Sequence, residues 1–370
     1  RHVGAFTREP DLGRSITGRT KEIKLMKILG YFFVGLLGLA LVGISILWGG
    51  AQMSMDHSYA HTKAAAQLRD FADNDADGVV RIATSRGDFR ARIAGFQGSG
   101  ERPLVVLLHG FPVTSAMWID LIAPLSEAGY RVVAFDQRGY SPGVRPQAVG
   151  EYAVPQLVAD VFAVVDAAGG GSFHLVGHDW GAAVGWGTVL ADPSRILSWT
   201  PMSIAHPSAF QAALETDPDQ QSRSSYFALF VTPWVPEILF TFNDFSLLKG
   251  ALAGMRADKM QDYINVFSEP GALTAALNWY RAMLDADATA TTNQDTDVRV
   301  PTLFIWGNQD GAVGRRGTEL MADYMRGPYS ILELDAGHWL LSDLPEQVIA
   351  PVLAHIQGND SDAIQSFIDE

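Results

Sequence analysis

Asp179 is the residue around which this sequence concentrates its chemistry. It stands in the middle of Gly-His-Asp-Trp-Gly-Ala, residues 177–182, between a short apolar run and a small, apolar stretch with helical spacing. The pattern predicts a buried strand, a tight turn and a helix. The flanking glycines suit a turn that holds its central residue in a strained backbone conformation, where larger side chains would collide. A carboxylate presented there could attack an sp³ carbon by in-line displacement and form an alkyl ester.

Hydrolysis of such an ester needs a general base, and two residues that follow predicted strands could supply the base and its orienting acid. His338 follows a late strand predicted at 329–334, and Asp310 follows a strand predicted at 300–307. The order Asp179, Asp310, His338 is the nucleophile, acid and histidine order of α/β-hydrolases, which often carry serine in a G-x-S-x-G elbow. Other carboxylates are alternatives for the acid: Asp295, Asp297 and Asp335.

The tetrahedral intermediate of ester hydrolysis also needs hydrogen-bond donors for its oxyanion. One donor is predicted to be the backbone N–H of Trp180, directly after the nucleophile. The other should be the backbone N–H of Phe111, in the turn His-Gly-Phe-Pro that ends the first buried parallel strand. Gly110 allows that turn to come close to the nucleophile.

Strands and helices alternate along most of the chain, which predicts an α/β fold with a mostly parallel, doubly wound sheet. We assign residues 78–205 and 299–370 to this core, which begins with a hairpin signal at 79–94. Between 206 and 298 the sequence has helical periodicity, many aromatic residues and no clear strand. We interpret this stretch as an inserted helical lid.

The composition of the chain excludes several functional classes. The 370 residues include no cysteine, which excludes disulfides, thiol catalysis and thiolate metal sites. A net charge of −14 argues against nucleic acid as a partner. The proposed nucleophile, base and donors are all side chains or backbone groups, so neither a metal nor an organic cofactor is expected.

An uncharged apolar segment at 28–51 predicts a membrane association. Its 24 residues are enough to cross a bilayer as a helix, and aromatic residues stand near both ends. Residues 1–27 carry seven basic and three acidic side chains. The positive-inside rule then places this tail in the cytoplasm and the catalytic domain outside it, as a single-pass protein with a spacer at 52–77. Cleavage after a small-residue site is the alternative, and would give a secreted or periplasmic protein.

Three motifs together resemble the α/β-hydrolase-fold epoxide hydrolases: His-Gly-Phe-Pro at 109–112, Gly-His-Asp-Trp-Gly-Ala at 177–182, and Ala-Gly-His-Trp at 336–339. The resemblance covers roughly residues 78–356. It implies that two lid tyrosines bind and protonate the epoxide oxygen. Tyr280 matches one of them, in the family's Asn-Trp-Tyr-Arg motif, and Tyr226 matches the other, shortly before a Phe-x-x-Pro stretch. A phenol with a pKa of about 10 stays protonated at neutral pH and can give its proton to an alkoxide leaving group.

The expected substrate is an apolar epoxide, which reacts with water. Many members of the resembled family carry glutamine after the first tyrosine, whereas this chain has Phe227, which should make that side of the pocket more apolar. We expect Phe227, Trp279 and His109 to contact the substrate.

Two other functions compete with epoxide hydrolysis. Haloalkane and haloacid dehalogenases use the same carboxylate attack, and Trp180 fits a halide site, but Phe111 stands where haloalkane dehalogenases carry asparagine. A lidded ligand-binding protein without catalysis is a weaker alternative, because the nucleophile, acid and histidine are all present. A serine esterase is excluded, since the elbow carries no serine.

Overall fold

An eight-stranded sheet forms the centre of the molecule. The computed structural model describes residues 68–98, 102–284 and 296–358. The strands lie in the order β1-β2-β4-β3-β5-β6-β7-β8. They are β1 (Gly78–Thr84), β2 (Gly87–Ala94), β3 (Leu104–Leu108), β4 (Arg131–Phe135), β5 (Phe173–His178), β6 (Ile196–Met202), β7 (Thr302–Gly307) and β8 (Tyr329–Leu334). The first two strands form the predicted antiparallel hairpin, β2 pairs antiparallel with β4, and the remaining pairs are parallel. The prediction of a mostly parallel sheet is confirmed.

The central strands are continuous apolar runs because both of their faces are covered. All residues of β3, β5 and β7 are buried. A strand that faced water on one side would alternate apolar and polar residues instead. The outer strand β1 does alternate, and it lies at the edge of the sheet. Burial therefore distinguishes the edge strand β1 from the parallel core that carries the site.

Helices cover the sheet on both of its faces. Those of the core are α1 (Ile119–Glu127), α2 (Val154–Ala167), α3 (Trp180–Ala191), α10 (Arg315–Leu320), α11 (Leu340–Asp343) and α12 (Pro345–Ile356). Two of them, α2 and α3, pack against each other, and α1 packs against α12. The right-handed connections of parallel strands produce such paired layers.

Further helices connect β6 to β7, within the stretch predicted to be a lid. We call residues 207–282 the helical insertion. Its helices are α4 (Pro207–Thr216), α5 (Pro218–Arg223), α6 (Phe227–Phe230), α7 (Val235–Ala251), α8 (Ala257–Phe267) and α9 (Ala272–Ala282). The chain turns sharply inside α7, where the backbone of Asn243, Asp244 and Phe245 is left-handed.

The predicted basic tail at 1–27, the apolar segment at 28–51 and most of the spacer lie outside the described residues. Within the residues that the structure describes, no single helix has both the length and the apolar character needed to cross a membrane. One sharply bent helix pair in the helical insertion meets that test by length and composition alone.

Candidate active site

Asp179 occupies a strained turn between β5 and α3. Its backbone angles are φ 54° and ψ −125°, a conformation that few residues other than glycine adopt. Gly177 and Gly181 make this turn possible. A Cβ at Gly181 would collide with the carbonyl oxygen of Leu108, and one at Gly177 would lie 2.5 Å from the carbonyl oxygen of Gly181. The glycines therefore allow β3, β5 and the start of α3 to meet beneath the carboxylate.

Each carboxylate oxygen of Asp179 has a different neighbour. The backbone N–H of Phe111 donates a hydrogen bond to Oδ1 at 2.8 Å, and the backbone N–H of Trp180 also interacts with the carboxylate. Oδ2 lies 3.7 Å from Nε2 of His338. A Cβ at Gly110 would collide with Oδ1, so only glycine fits there. One oxygen thus lies among the predicted oxyanion donors, while the other faces the histidine.

Asp310 and His338 are joined by a hydrogen bond. The Nδ1 atom of His338 lies 2.8 Å from Oδ2 of Asp310, which is fully buried. Oδ1 of Asp310 accepts hydrogen bonds from the backbone N–H groups of Ala312 and Val313, at 2.7 and 3.1 Å. The acid is therefore held by the turn after β7, and the histidine by the turn after β8. This arrangement is the one expected of an acid that orients a general base.

The alternative acids lie elsewhere. Asp335 is exposed and accepts a hydrogen bond from Gln309, and Asp297 forms a salt bridge with Arg326. Asp295 lies outside the described residues. Of the described carboxylates considered for this role, Asp310 is the one bonded to His338.

Sequence reasoning missed Ser203, which is also bonded to the acid. Its hydroxyl donates to Oδ2 of Asp310 at 2.6 Å and lies 3.1 Å from Nδ1 of His338. Ser203 is fully buried and has a φ of 71°, in the left-handed region. It directly follows β6, so its position at the carboxyl end of a parallel strand was the available signal.

His178 is a second missed residue. Its ring lies 4.7 Å from the ring of His338, and its Nε2 lies 2.8 Å from the backbone carbonyl oxygen of the same residue. Burial, with the charge of His338, lowers the pKa of His178 to about 3. The ring is therefore neutral, and its Nε2–H donates to that carbonyl. The residue before the nucleophile thus fixes the turn that carries the base.

Charges at the site are coupled. Burial alone would lower the pKa of His338, but the carboxylates of Asp310 and Asp179 outweigh it and raise that pKa to about 8. For Asp310 burial acts in the opposite direction and would raise the pKa, but His338, Ser203 and a backbone donor hold it at about 2. For Asp179 burial prevails over its donors, and its pKa is raised. In the described part of the chain, no group of three or more histidines and carboxylates is placed to hold a metal ion.

Tyr280 and Tyr226 reach this site from the helical insertion. The Tyr280 ring lies 5.1 Å from that of Trp180 and 5.5 Å from that of Phe111, the two residues whose N–H groups face Asp179. The Tyr226 ring lies 6.3 Å from that of Tyr280, and the two side chains share a hydrogen bond. Burial raises the pKa of both phenols. Both therefore remain protonated near neutral pH.

The other aromatic residues predicted to contact substrate differ in their surroundings. Phe227 packs against both tyrosines, with ring separations of 4.8 and 5.4 Å. Trp279 is almost fully buried, and its indole N–H donates to the carbonyl of Arg138 at 2.9 Å. Its ring meets that of Trp180 edge to face. Phe227 thus lies beside the phenols, whereas Trp279 packs against Trp180.

The structure places His109, which was predicted to bind substrate, among backbone groups. This ring is fully buried, and its Nε2 accepts a hydrogen bond from the backbone N–H of Gln137 at 3.0 Å. Its Nδ1 donates to the carbonyl of Gly110 at 2.9 Å. Both ring nitrogens are occupied by backbone groups, so neither can bond a substrate. The residue shapes the turn that presents the N–H of Phe111.

Comparison with known proteins agrees with this geometry. A family model described as the alpha/beta hydrolase fold matches residues 103–345. This chain belongs to the α/β-hydrolase family. It is 32% identical over 266 residues to the AB hydrolase superfamily protein YfhM of Bacillus subtilis, covering 70% of this chain and 92% of that one.

Relatives within this α/β-hydrolase family include epoxide hydrolases. Human epoxide hydrolase 4 is 32% identical over 283 residues, which is 73% of this chain and 75% of that protein. The crystal structure of epoxide hydrolase A from Mycobacterium thermoresistibile superposes with a TM-score of 0.67 at 27% identity. That superposition covers 76% of this chain and 99% of the other. Epoxide hydrolases are therefore among the proteins to which both the sequence and the fold are similar.

Proposed function

We propose that this α/β-hydrolase converts an apolar epoxide to a vicinal diol through an alkyl ester on Asp179. The observation that carries the proposal is the pair of protonated phenols, Tyr226 and Tyr280, beside a carboxylate that already faces two backbone donors and a histidine. The similarity to epoxide hydrolases supports the same reaction.

In the first step, Oδ2 of Asp179 attacks an epoxide carbon and the carbon–oxygen bond of the ring breaks. Oδ1 stays with the N–H groups of Phe111 and Trp180 and becomes the ester carbonyl oxygen. The ring oxygen takes a proton from Tyr280 or Tyr226, which leaves the alkyl ester with a free hydroxyl group. Without this proton the leaving group would be an alkoxide on the substrate itself, so the phenols lower the barrier as its charge develops.

In the second step, Nε2 of His338 removes a proton from water, and the water oxygen attacks the ester carbon of Asp179. The negative charge moves to Oδ1, where the N–H groups of Phe111 and Trp180 stabilise it. The ester bond then breaks, and the diol leaves with a proton returned from His338. The second proton of the water, left on the carboxyl group of Asp179, passes to the tyrosinate, which restores the carboxylate and both phenols. Asp310 stabilises the imidazolium in between, as the orienting acid of a triad does.

Dehalogenation is the competing reaction, and the first step on Asp179 would be the same. Halide leaves as an anion and needs donors rather than a proton. Trp180 is one such donor, but residue 111 carries a phenyl ring that packs against the rings of Phe230 and Phe240. The aromatic character of residue 111 therefore favours the epoxide.

Parallel assays with a styrene-oxide-type epoxide and a haloalkane test the proposal. Diol formation without halide release is expected, and halide release alone would overturn it. His338→Gln should accumulate the ester, seen as the epoxide mass added to the intact protein. In ¹⁸O-labelled water, one turnover should place the label in the carboxylate of Asp179 and leave the first diol unlabelled.

We also propose that the helical insertion acts as a lid over Asp179. The support is the aromatic contact between Phe111 in the core and Phe230, Phe240, Phe267 and Tyr280 in the insertion. Excluding water from the carboxylate strengthens its interactions with the donors and protects the ester from adventitious hydrolysis.

We further propose that residues 28–51 anchor the protein in a membrane, with the N-terminal tail in the cytoplasm and the catalytic domain outside. The uncharged segment and its basic flank support this. Because the chain has no cysteine, Ser15→Cys and Ser54→Cys would each introduce a single thiol. An impermeant maleimide added outside intact cells should label only position 54. A mature chain that begins after residue 51 would show cleavage instead of anchoring.

A further inference from the structure

The stretch from Trp234 through helix α7 carries both buried and exposed large apolar residues. Phe240 is buried 5.9 Å from the ring of Phe111 and 5.5 Å from that of Phe230. Four other large apolar residues of this stretch are exposed over much of their surface. These are Trp234 (69% exposed), Leu239 (40%), Phe242 (57%) and Leu247 (49%). We call these four residues the outer apolar face.

A helix on the surface of a water-soluble domain usually carries charges on its outer side. The charged residues of α7 are either buried or paired with each other. Glu237 is buried and forms a salt bridge with Arg281, whereas Asp244 and Lys249 pair with each other at 2.6 Å. The outer apolar face therefore has no net charge from its own helix. Exposed clusters of large apolar side chains mark protein or membrane contacts.

The outer apolar face belongs to the same layer that covers the nucleophile. Arg281, next to Tyr280 on α9, donates to the carbonyl of Thr232 at 3.1 Å and to the carboxylate of Glu237. These bonds tie the start of α7, with Trp234, to the helix that carries a proposed proton donor. The helical insertion thus presents aromatic residues to Asp179 on one side and to the surroundings on the other.

We propose that the outer apolar face inserts into the interfacial region of a lipid bilayer, so that a lipophilic epoxide passes from the membrane into the site. The choice of a bilayer rests on the proposed anchor at 28–51. Residues 52–67, the chain between that anchor and the described domain, span at most roughly 60 Å when fully extended. The domain therefore stays within roughly 60 Å of the membrane. Tryptophan and phenylalanine side chains that reach the headgroup level lie there favourably. Because the face has no net charge, binding needs no anionic lipid.

Single-cysteine labelling tests this docking on the full-length chain, which has no cysteine of its own. Phe242→Cys and Leu239→Cys place a nitroxide label on the outer apolar face. Leu197→Cys is the matched control, because Leu197 is 44% exposed near the amino end of β6, whereas the site lies at the carboxyl ends of the strands. In phosphatidylcholine proteoliposomes, the labels at 239 and 242 should be accessible to oxygen and protected from a water-soluble nickel chelate. The label at 197 should show the reverse.

Two results of that experiment would overturn the proposal. Labels at 239 and 242 that are as accessible to the nickel chelate as the label at 197 would show a face in water. Labels shielded from both relaxation agents, with spin–spin broadening that grows with the protein-to-lipid ratio, would show a second copy of the chain in place of lipid. Neither result depends on enzyme activity, so failure of the proposed epoxide hydrolysis is distinguishable from failure of the docking.

Kinetics test the delivery of substrate separately. The double variant Trp234→Ser, Phe242→Ser should raise KM for a lipophilic epoxide in vesicles by about tenfold, because burying two aromatic side chains favours the membrane-bound form. It should leave KM for a short, water-soluble epoxide and kcat for both unchanged. An equal change in KM for the two epoxides would exclude entry from the bilayer.

Discussion

The two sides of the site are built differently. On the sheet side, Asp179, Asp310 and His338 follow three parallel strands, and their polar atoms are held by hydrogen bonds of 2.8 Å to a backbone N–H or to each other. On the side of the helical insertion the site is aromatic, and Tyr226 and Tyr280 supply its hydroxyl groups. The sheet side holds a nucleophile and a base that several reactions share. In the proposed mechanism, the insertion decides which leaving group can be protonated.

Replacing the nucleophile should have the largest effect and tests the sheet side of this comparison. Asp179→Asn keeps the size of the side chain and removes the attacking charge. We expect diol formation to fall by on the order of 10⁴-fold or more, as for other nucleophiles in such triads. The initial rate with a styrene-oxide-type epoxide measures it. A variant that retains a tenth of the activity would show that Asp179 is not the nucleophile.

Replacing the phenols should have the next largest effect and tests the insertion side. Tyr280→Phe and Tyr226→Phe should each lower kcat by about 10–100-fold, and the double variant by about 10³-fold or more, because one donor partly replaces the other. Tyr263→Phe is the control, since this buried tyrosine of α8 lies in the same helical insertion. If kcat of the double variant equals that of the control, then the insertion supplies no proton.

The pH dependence should differ between the free enzyme and the alkyl ester on Asp179. His338 must be neutral to act as a base, and its pKa in the free enzyme is about 8. Ester formation removes the charge of Asp179, one of the groups that raise this pKa. We therefore expect the ester-hydrolysis rate to increase with pH and to level off below pH 8. Single-turnover kinetics across pH 6–9 measure it, beside a titration of His338 by NMR in the free enzyme. Identical apparent pKa values would contradict the coupling.

The smallest effect is expected at Ser203, which supports the acid. Ser203→Ala removes a donor to Asp310 and leaves its negative charge freer to stabilise imidazolium. We expect kcat near neutral pH to fall by about threefold to tenfold, with the pH profile displaced to higher pH. Ser198→Ala is the control, because Ser198 lies on the same strand and bonds His174 instead. An unchanged profile with a lower melting temperature would show that Ser203 is only structural.

Much of the fold was predictable because strand signals are local. Strand signals placed β8 at 329–334, as the structure has it, and β7 at 300–307, where the strand begins at Thr302. Alternation along the chain predicted a mostly parallel sheet, since parallel neighbours need crossover helices. The glycines around Asp179 predicted the strained elbow, because the same short-range collisions determine that turn. The two phenols came from motifs, by resemblance rather than by periodicity.

Ser203, His178 and His109 show where the sequence was insufficient. Apart from the position of Ser203 directly after a strand, nothing in the local sequence around these three residues distinguishes a site residue from an ordinary buried one. Ser203 meets Asp310 only because β6 and β7 are neighbours in the sheet. His178, at the end of β5, bonds the carbonyl of His338 in the turn after β8. His109 accepts a hydrogen bond from the backbone of Gln137.

The sequence by itself determined the strands, the elbow and the order of the three residues along the chain, because those depend on burial and on collisions between near neighbours. The tertiary structure alone decided which oxygen of Asp179 faces the donors and which faces His338. It also decided that Phe240 of helix α7 packs against Phe111 while Leu239 and Phe242 stay exposed. Such distances depend on how segments far apart in the chain pack together, and no local pattern contains them.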